Sequence, residues 1–310
     1  MRAAIIDLGT NTFHLLIAEI TGSAFEILYK TNVPVKLGEG RINDNIIIPV
    51  AFDRGLNTLK DFNQTIEKFN VDVVRATATS AVRSAKNGED FVDTVKDQTK
   101  ITIETITGVE EAGLIYEGVK LSGAIKDISL IMDIGGGSVE FILCDTSKLI
   151  WKKSYNIGAA RLMQQFFKSD PISDQEKNAI LSHIQNELND LFEVCAIYKP
   201  GILIGSAGAF ETFAELIIKR KNDVVDIKSS KSYDFVYDEY LNIANELLNS
   251  NHQERSNMPG MITLRVDMIV MATLITNYVM GRAKLNKLTL STFDLKMGIL
   301  SDIITKSNLA

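Results

Sequence analysis

Two cysteines, Cys144 and Cys195, are too few in 310 residues for a disulfide framework, and no zinc-site spacing surrounds them. Charge of neither sign dominates strongly: 33 Lys and Arg against 39 Asp and Glu leave a net charge of −6. A bulk attraction to nucleic acid or an anionic membrane is therefore not expected, and any polyanion must be met by a local basic region. Long hydrophobic runs are missing as well. The most apolar stretch, residues 266–279, contains Asp267, Thr273, Thr276 and Asn277 and is too short and polar to span a bilayer. No signal peptide is expected ahead of the first strand, so a cytoplasmic protein is the simplest reading. Neither a G-x-x-x-x-G-K-[ST] loop nor a G-x-G-x-x-G fingerprint occurs, and no Ser/His/Asp or Cys/His nucleophile set is legible. No low-complexity segment or nucleic-acid motif stands out.

What the chain does have is one pattern twice. Residues 2–17 and 130–143 each read as an apolar run, then Asp-x-Gly, then small and hydroxyl residues, then a second apolar run. With Asp7 laid on Asp133, Gly9 falls on Gly135, Thr12 on Ser138 and Leu15 on Phe141. Two apolar runs joined by a short glycine-bearing turn predict a β-hairpin. Glycine lets backbone N–H groups approach an anion, and consecutive N–H groups form an anion nest. An aspartate there repels a bare phosphate, so a divalent cation such as Mg²⁺ is expected between them. Two such turns facing each other would hold a phosphate chain from both sides. The plainer alternative is two ordinary hairpins whose aspartates stabilise the turns.

Between and beyond the hairpins the pattern alternates strand and helix. A third strand, set beside its neighbour, covers 25–35, and Lys36 and Arg41 in the following loop either face an anion or are merely solvated. Helical spacing runs from Pro49 to Phe69. A buried strand over 71–76 enters the hydroxyl-rich junction Thr77 to Val82, followed by Arg83, whose planar fork suits phosphate and whose plainer role is a surface ion pair. A half-buried strand covers 101–106. Thr107 or Gly108 then caps a helix carrying Glu110 and Glu111 in its first turn. Adjacent helical residues point about 100° apart, so one glutamate can serve the dipole while the other orients a water; spacing does not say which. Pro171 and Ser173 open a long amphipathic helix bearing Ile180, Ile184, Leu188, Leu191 and Phe192. Residues 201–210 repeat strand, small-residue turn and helix, either as a third ligand-facing turn or as a plain connection. A polar loop is expected over 251–260 with His252 solvated, a mostly apolar helix from Arg265 to Met280, a strand over 287–293 and a final helix over 294–306.

Five segments together resemble the exopolyphosphatase and guanosine pentaphosphate phosphohydrolase (Ppx/GppA) family of the actin, sugar kinase and Hsp70 superfamily: residues 5–17, 76–88, 108–119, 131–142 and the stretch beginning Arg265-Val266-Asp267. The resemblance implies two α/β domains of the actin-like (ribonuclease H-like) kind with a cleft between them. Residues 1–124 plus 296–310 are expected to form the first and residues 125–295 the second. It implies hydrolysis of the terminal phosphoanhydride of polyphosphate or guanosine pentaphosphate with Mg²⁺. Asp7, Asp133 and Glu140 match its metal carboxylates and Glu111 its catalytic base. Thr10, Asn11, Thr12, Arg83, Gly135, Gly136, Gly137 and Ser138 match phosphate-binding positions, and Ser206 and Gly208 another ligand-facing turn. Gly113 stands where many members place an arginine, and residues 293–298 are a weakened form of a segment that often carries Arg-Glu. The chain resembles the short, two-domain members. A superfamily kinase or ATPase and a non-catalytic alarmone sensor are the competing readings, and a homodimer is the expected assembly.

Overall fold

The computed structural model describes residues 1–227 and 229–308. Contacts divide the chain into two units, residues 1–118 with 295–310 and residues 119–294. Both are α/β units of the actin-like, ribonuclease H-like kind.

Unit 1 is built on strands β1 (Arg2–Leu8), β2 (Phe13–Thr21) and β3 (Ala24–Val33), followed by α1 (Pro49–Lys68), β4 (Val73–Ala78), α2 (Ser80–Ser84), α3 (Gly88–Thr99), β5 (Ile103–Thr105) and α4 (Gly108–Ser122). The division between units falls inside α4. The sheet order is β3-β2-β1-β4-β5. The first three strands are antiparallel, and β4 and β5 run parallel to β1. β1 is buried along nearly its whole length because α1 shares a core with its alternate residues and the final helix, Leu295–Ser307, also packs on it, which explains its unbroken apolar run. Alternate residues of β1 and β2 join Leu56, Leu59, Phe62 and Ile66 of α1 in one core.

The first half of β4 is not buried as expected: Val73 and Val74 are 38% and 41% exposed. β5 pairs with β4 only from Ala76 onward, so the earlier residues form a free sheet edge.

Unit 2 repeats the plan with β6 (Ser129–Ile134), β7 (Val139–Cys144), β8 (Leu149–Tyr155), α5 (Ala159–Phe166), α6 (Asp174–Glu187), α7 (Asn189–Tyr198), β9 (Ile202–Ser206), α8 (Gly208–Lys221), β10 (Ser232–Asp234), α9 (Tyr237–Asn249), α10 (His252–Ser256), α11 (Met268–Ala283) and β11 (Leu288–Ser291). Its sheet order is β10-β11-β9-β6-β7-β8. Strands β8-β7-β6-β9-β11 therefore match β3-β2-β1-β4-β5 in order and direction, with β10 added at the edge. Helix α12 (Leu295–Ser307) returns to unit 1, where it packs on β1. It also lies hard against α4: a Cβ on Gly298 would come within 1.8 Å of the Leu114 carbonyl oxygen.

Three expectations for unit 2 are corrected. The single helix from Ser173 is two, broken at the buried Leu188. Asp190 accepts from Tyr155 Oη at 2.7 Å and Lys153 Nζ at 2.6 Å, which pins the first turn of α7 to β8 and redirects the chain. The expected polar loop over 251–260 contains α10, closed by a capping box between Asn251 and Glu254. Within it Arg255 is wholly buried; its guanidinium meets Asp170 at 2.8 Å and Asp267 at 3.1 Å, and its Nε donates to the Val266 carbonyl at 2.6 Å. His252 is exposed, in keeping with the polar composition of the stretch, and its Nδ1 lies 2.7 Å from Asp267 Oδ1. Arg265, finally, belongs to a 3-10 turn, Thr263–Arg265, ahead of the apolar helix. Among the described residues no helix is long and apolar enough to cross a membrane.

Candidate active site

The turn after β1 is closed by Gly9 N–H donating to the Thr12 carbonyl at 3.1 Å. A Cβ on Gly9 would sit 2.8 Å from that oxygen, so the position has no room for a side chain. The loop after β3 braces the turn from behind, with Lys36 N–H donating to the Asn11 carbonyl at 2.8 Å and Gly38 N–H to the Thr10 carbonyl at 3.1 Å. Arg54 secures that loop through the carbonyls of Val35 and Lys36. Arg41 pairs with Asp44 at 2.8 Å.

The turn after β6 has the same closing bond, Gly135 N–H to the Ser138 carbonyl at 3.0 Å. Here the brace is the start of α5. Ala159 N–H donates to Gly135 at 2.9 Å and Ala160 N–H to Gly136 at 2.8 Å, while Arg161 Nε donates to the Gly137 carbonyl at 2.9 Å. Gly158 makes this approach possible: a Cβ there would lie 2.5 Å from backbone atoms of Gly136 and Gly137.

The consequence follows from peptide geometry. In a planar trans peptide the C=O of one residue and the N–H of the next point in opposite directions. Carbonyls of Thr10 and Asn11 that face the 36–38 loop turn the N–H groups of Asn11 and Thr12 away from it. Carbonyls of Gly135, Gly136 and Gly137 that face α5 turn the N–H groups of Gly136, Gly137 and Ser138 the other way. Each turn thus presents consecutive donors on one side, the arrangement that binds anions.

The carboxylates occupy matching places. Asp7 lies level with Thr77 on β4 and with His14 on β2. Asp133 lies level with Ser206 on β9 and with Glu140 on β7. All three carboxylates, Asp7, Asp133 and Glu140, are buried. Glu140 accepts from Ser154 Oγ on β8 at 2.6 Å. Asp133 and Glu140 are therefore directly opposed on adjacent strands beside an anion-binding turn. Among the described residues no group of three or more His, Cys, Asp or Glu side chains could hold a metal by itself. A pair of carboxylates fits Mg²⁺, which ordinarily takes one or two and completes its shell with phosphate oxygens and waters.

Unit 1 also separates the two glutamates of α4. Thr107 caps the helix: its N–H and Oγ1 donate to Glu110 Oε2 at 2.7 and 2.8 Å, and Glu110 N–H donates back to Thr107 Oγ1 at 3.2 Å. Glu110 is thereby the capping residue. Glu111, one position on and about 100° round the helix, is buried and accepts from Arg83 Nη1 at 2.9 Å. The same Nη1 donates to the Ile106 carbonyl at 2.9 Å.

The turn between β9 and α8 carries three marks of a ligand site. Ser206 Oγ is fully buried with no hydrogen-bond partner among the described residues. Ala207 has φ 67° and ψ −178°, a backbone state costing an L-residue about 1–3 kcal/mol. Arg265 lies against Gly208, where a Cβ would come within 1.9 Å of its Nη2, and its buried Nε has no partner among the described residues. Burial lowers the Arg265 pKa, with the charges of Glu211 and Asp133 opposing the shift. Arg265, Arg161 and Gly158 carry no assigned role in the sequence expectation. The one signal for Arg265 is that it opens the Arg-Val-Asp segment.

The chain is similar to an exopolyphosphatase of known structure from Cytophaga hutchinsonii, with 36% identity, a TM-score of 0.96 and coverage of 99% of this chain and 98% of that one. It is 28% identical over 299 residues to a Haemophilus influenzae protein named as a candidate exopolyphosphatase, covering 96% of this chain and 90% of that protein. It is also 29% identical over 218 residues to a guanosine-5'-triphosphate,3'-diphosphate pyrophosphatase of Pseudoalteromonas atlantica, covering 69% of this chain but only 43% of the relative. With the family model matching residues 16–307, the chain belongs to the Ppx/GppA phosphatase family.

Proposed function

We propose that this protein hydrolyses the terminal phosphoanhydride of inorganic polyphosphate or guanosine pentaphosphate. The observation that carries the proposal is the repeated turn, whose carbonyls are tied back in both units so that its N–H groups are offered to an anion. Asn11, Thr12, Gly136, Gly137 and Ser138 would donate to phosphoryl oxygens, with Thr10, Ser206, Gly208 and Arg265 completing the contacts. Gly135, its N–H donating to the Ser138 carbonyl and its carbonyl accepting from Ala159 N–H, would shape the turn instead. Asp133 and Glu140, with Asp7, would hold Mg²⁺, which neutralises charge on the phosphoryl oxygens when bound. Glu111 orients a water in line with the terminal phosphorus and takes its proton. The new P–O bond forms as the bridging P–O bond breaks, and the electron pair leaves on the shortened chain. Phosphoryl transfer needs mainly positioning and charge stabilisation, so no covalent nucleophile is required. Two buried thiols, Cys144 and Cys195, with no disulfide between them accord with a cytoplasmic setting.

The test is a phosphate-release screen across polyphosphate, guanosine pentaphosphate and ATP, with and without Mg²⁺. Release from either of the first two, dependent on the cation, is expected. Glu111→Gln should abolish release and keep polyphosphate binding; normal release by that variant refutes the assignment.

A further inference from the structure

We infer that Arg83 is a positioning residue for Glu111 as well as a phosphate contact, using opposite edges of one guanidinium. The inference rests on the hydrolase reading above, and it concerns how the attacking water is aimed.

A guanidinium is a rigid plane with five donors. In Arg83 all the protein contacts fall on Nη1, which donates to Glu111 Oε2 and to the Ile106 carbonyl, both at 2.9 Å. Among the described residues Nε and Nη2 meet no hydrogen-bond partner, and the side chain is 22% exposed. The Nε–Nη2 edge is the one that grips a phosphate or carboxylate with two parallel bonds. One edge is engaged by the chain and the other is open.

The engaged edge is anchored at both ends. Ile106 N–H donates to the Ala78 carbonyl at 3.1 Å, which fixes the Ile106 oxygen to the end of β4. The Thr107–Glu110 capping box fixes where α4 begins, and Glu111 N–H donates to the Thr107 carbonyl at 2.9 Å. Arg83 itself is on α2, its N–H donating to the Thr79 carbonyl at 2.9 Å. A phosphoryl group seated on the open edge would therefore stand at a distance from the Glu111 carboxylate set by the width of the guanidinium. Lysine carries the same charge but is a flexible point donor and cannot hold two partners in one plane.

The division of labour separates the kinetic constants. An arginine that only binds phosphate contributes to ground state and transition state alike, and its loss appears in KM. An arginine that aims the base contributes to the chemical step. In Arg83→Lys, kcat for phosphate release should fall about 100-fold, the scale of a 1 Å misplacement, while KM rises less than about tenfold. In Arg83→Ala, millimolar guanidinium ion should restore part of kcat. A rise in KM with kcat retained, or no guanidinium response in Arg83→Ala, overturns the inference. If the unsubstituted protein releases no phosphate from polyphosphate or guanosine pentaphosphate, the hydrolase reading falls and takes this inference with it. That outcome is distinct from failure of the Arg83 variants alone.

Discussion

Replacing Gly158 with alanine tests whether α5 really sets the second turn. The residue has φ −60° and ψ 156°, a conformation any amino acid adopts, so backbone strain plays no part. Only space is at issue. The added Cβ would lie 2.5 Å from the carbonyl carbon and oxygen of Gly136 and from the carbonyl carbon of Gly137. Ordinary contact begins near 3.4 Å, so the α5 start and the turn must part by about 0.9 Å. All the opposing atoms are backbone, and no flexible side chain can yield instead. Overpacking of this kind costs about 1–3 kcal/mol. One buried methyl returns at most about 0.8 kcal/mol, so destabilisation wins. The same displacement lengthens the bonds from Ala159 and Ala160 that orient the turn, and misplacement by 1 Å can cost about 100-fold in rate. Thermal unfolding and steady-state phosphate release on Gly158→Ala should show both losses. Gly201→Ala is the control, since nothing lies within 4 Å of its Cβ, and should change neither. A Gly158→Ala protein with unaltered stability and kinetics would refute the claim that α5 holds this turn in place.

Thr107→Ala removes the α4 capping box and should cost about 1 kcal/mol, read as a melting shift of about 2–4 °C, with far less effect on turnover than Glu111→Gln. Burial pushes the Cys144 thiol up from 9.0 to about 12, with the Asp145 charge adding to the shift, and pushes Cys195 up to about 11. The unfolded chain ionises these thiols first, so their contribution to stability is full below pH 9.0 and is lost as pH rises toward 11–12. Denaturant titrations across that window should show the loss, smaller in Cys144→Ala, and alkylation at pH 8 should require unfolding.

The duplicated hairpins were legible because the signal is local: buried strands give unbroken apolar runs, and a tight turn demands Gly9 and Gly135 where a Cβ would strike the facing carbonyl. The two glutamates of α4 were equivalent by spacing, and only the Thr107 cap distinguishes them. What the sequence hid depends on contacts between distant segments. Ser154 reaches Glu140 across the β7–β8 pair, and Arg161 reaches back to Gly137 from a separate helix. Arg255 sits in a stretch whose composition reads as solvated, yet it is buried against Asp170, 85 residues earlier. The break at Leu188 was hidden for the opposite reason: the apolar spacing continues through it, and the side chains of α7 anchored on β8 decide the geometry.

The way the glycine turn is tied has a chemical corollary. With the oxygens of Gly135, Gly136 and Gly137 turned toward α5, the main chain offers hydrogen-bond donors rather than acceptors on its other side. Ammonium ions, which can only donate, find no answering oxygen on that face of the turn. The discrimination is written in the tilt of amide planes rather than in any side chain, so it should survive changes to the residues around it as long as the helix behind stays put.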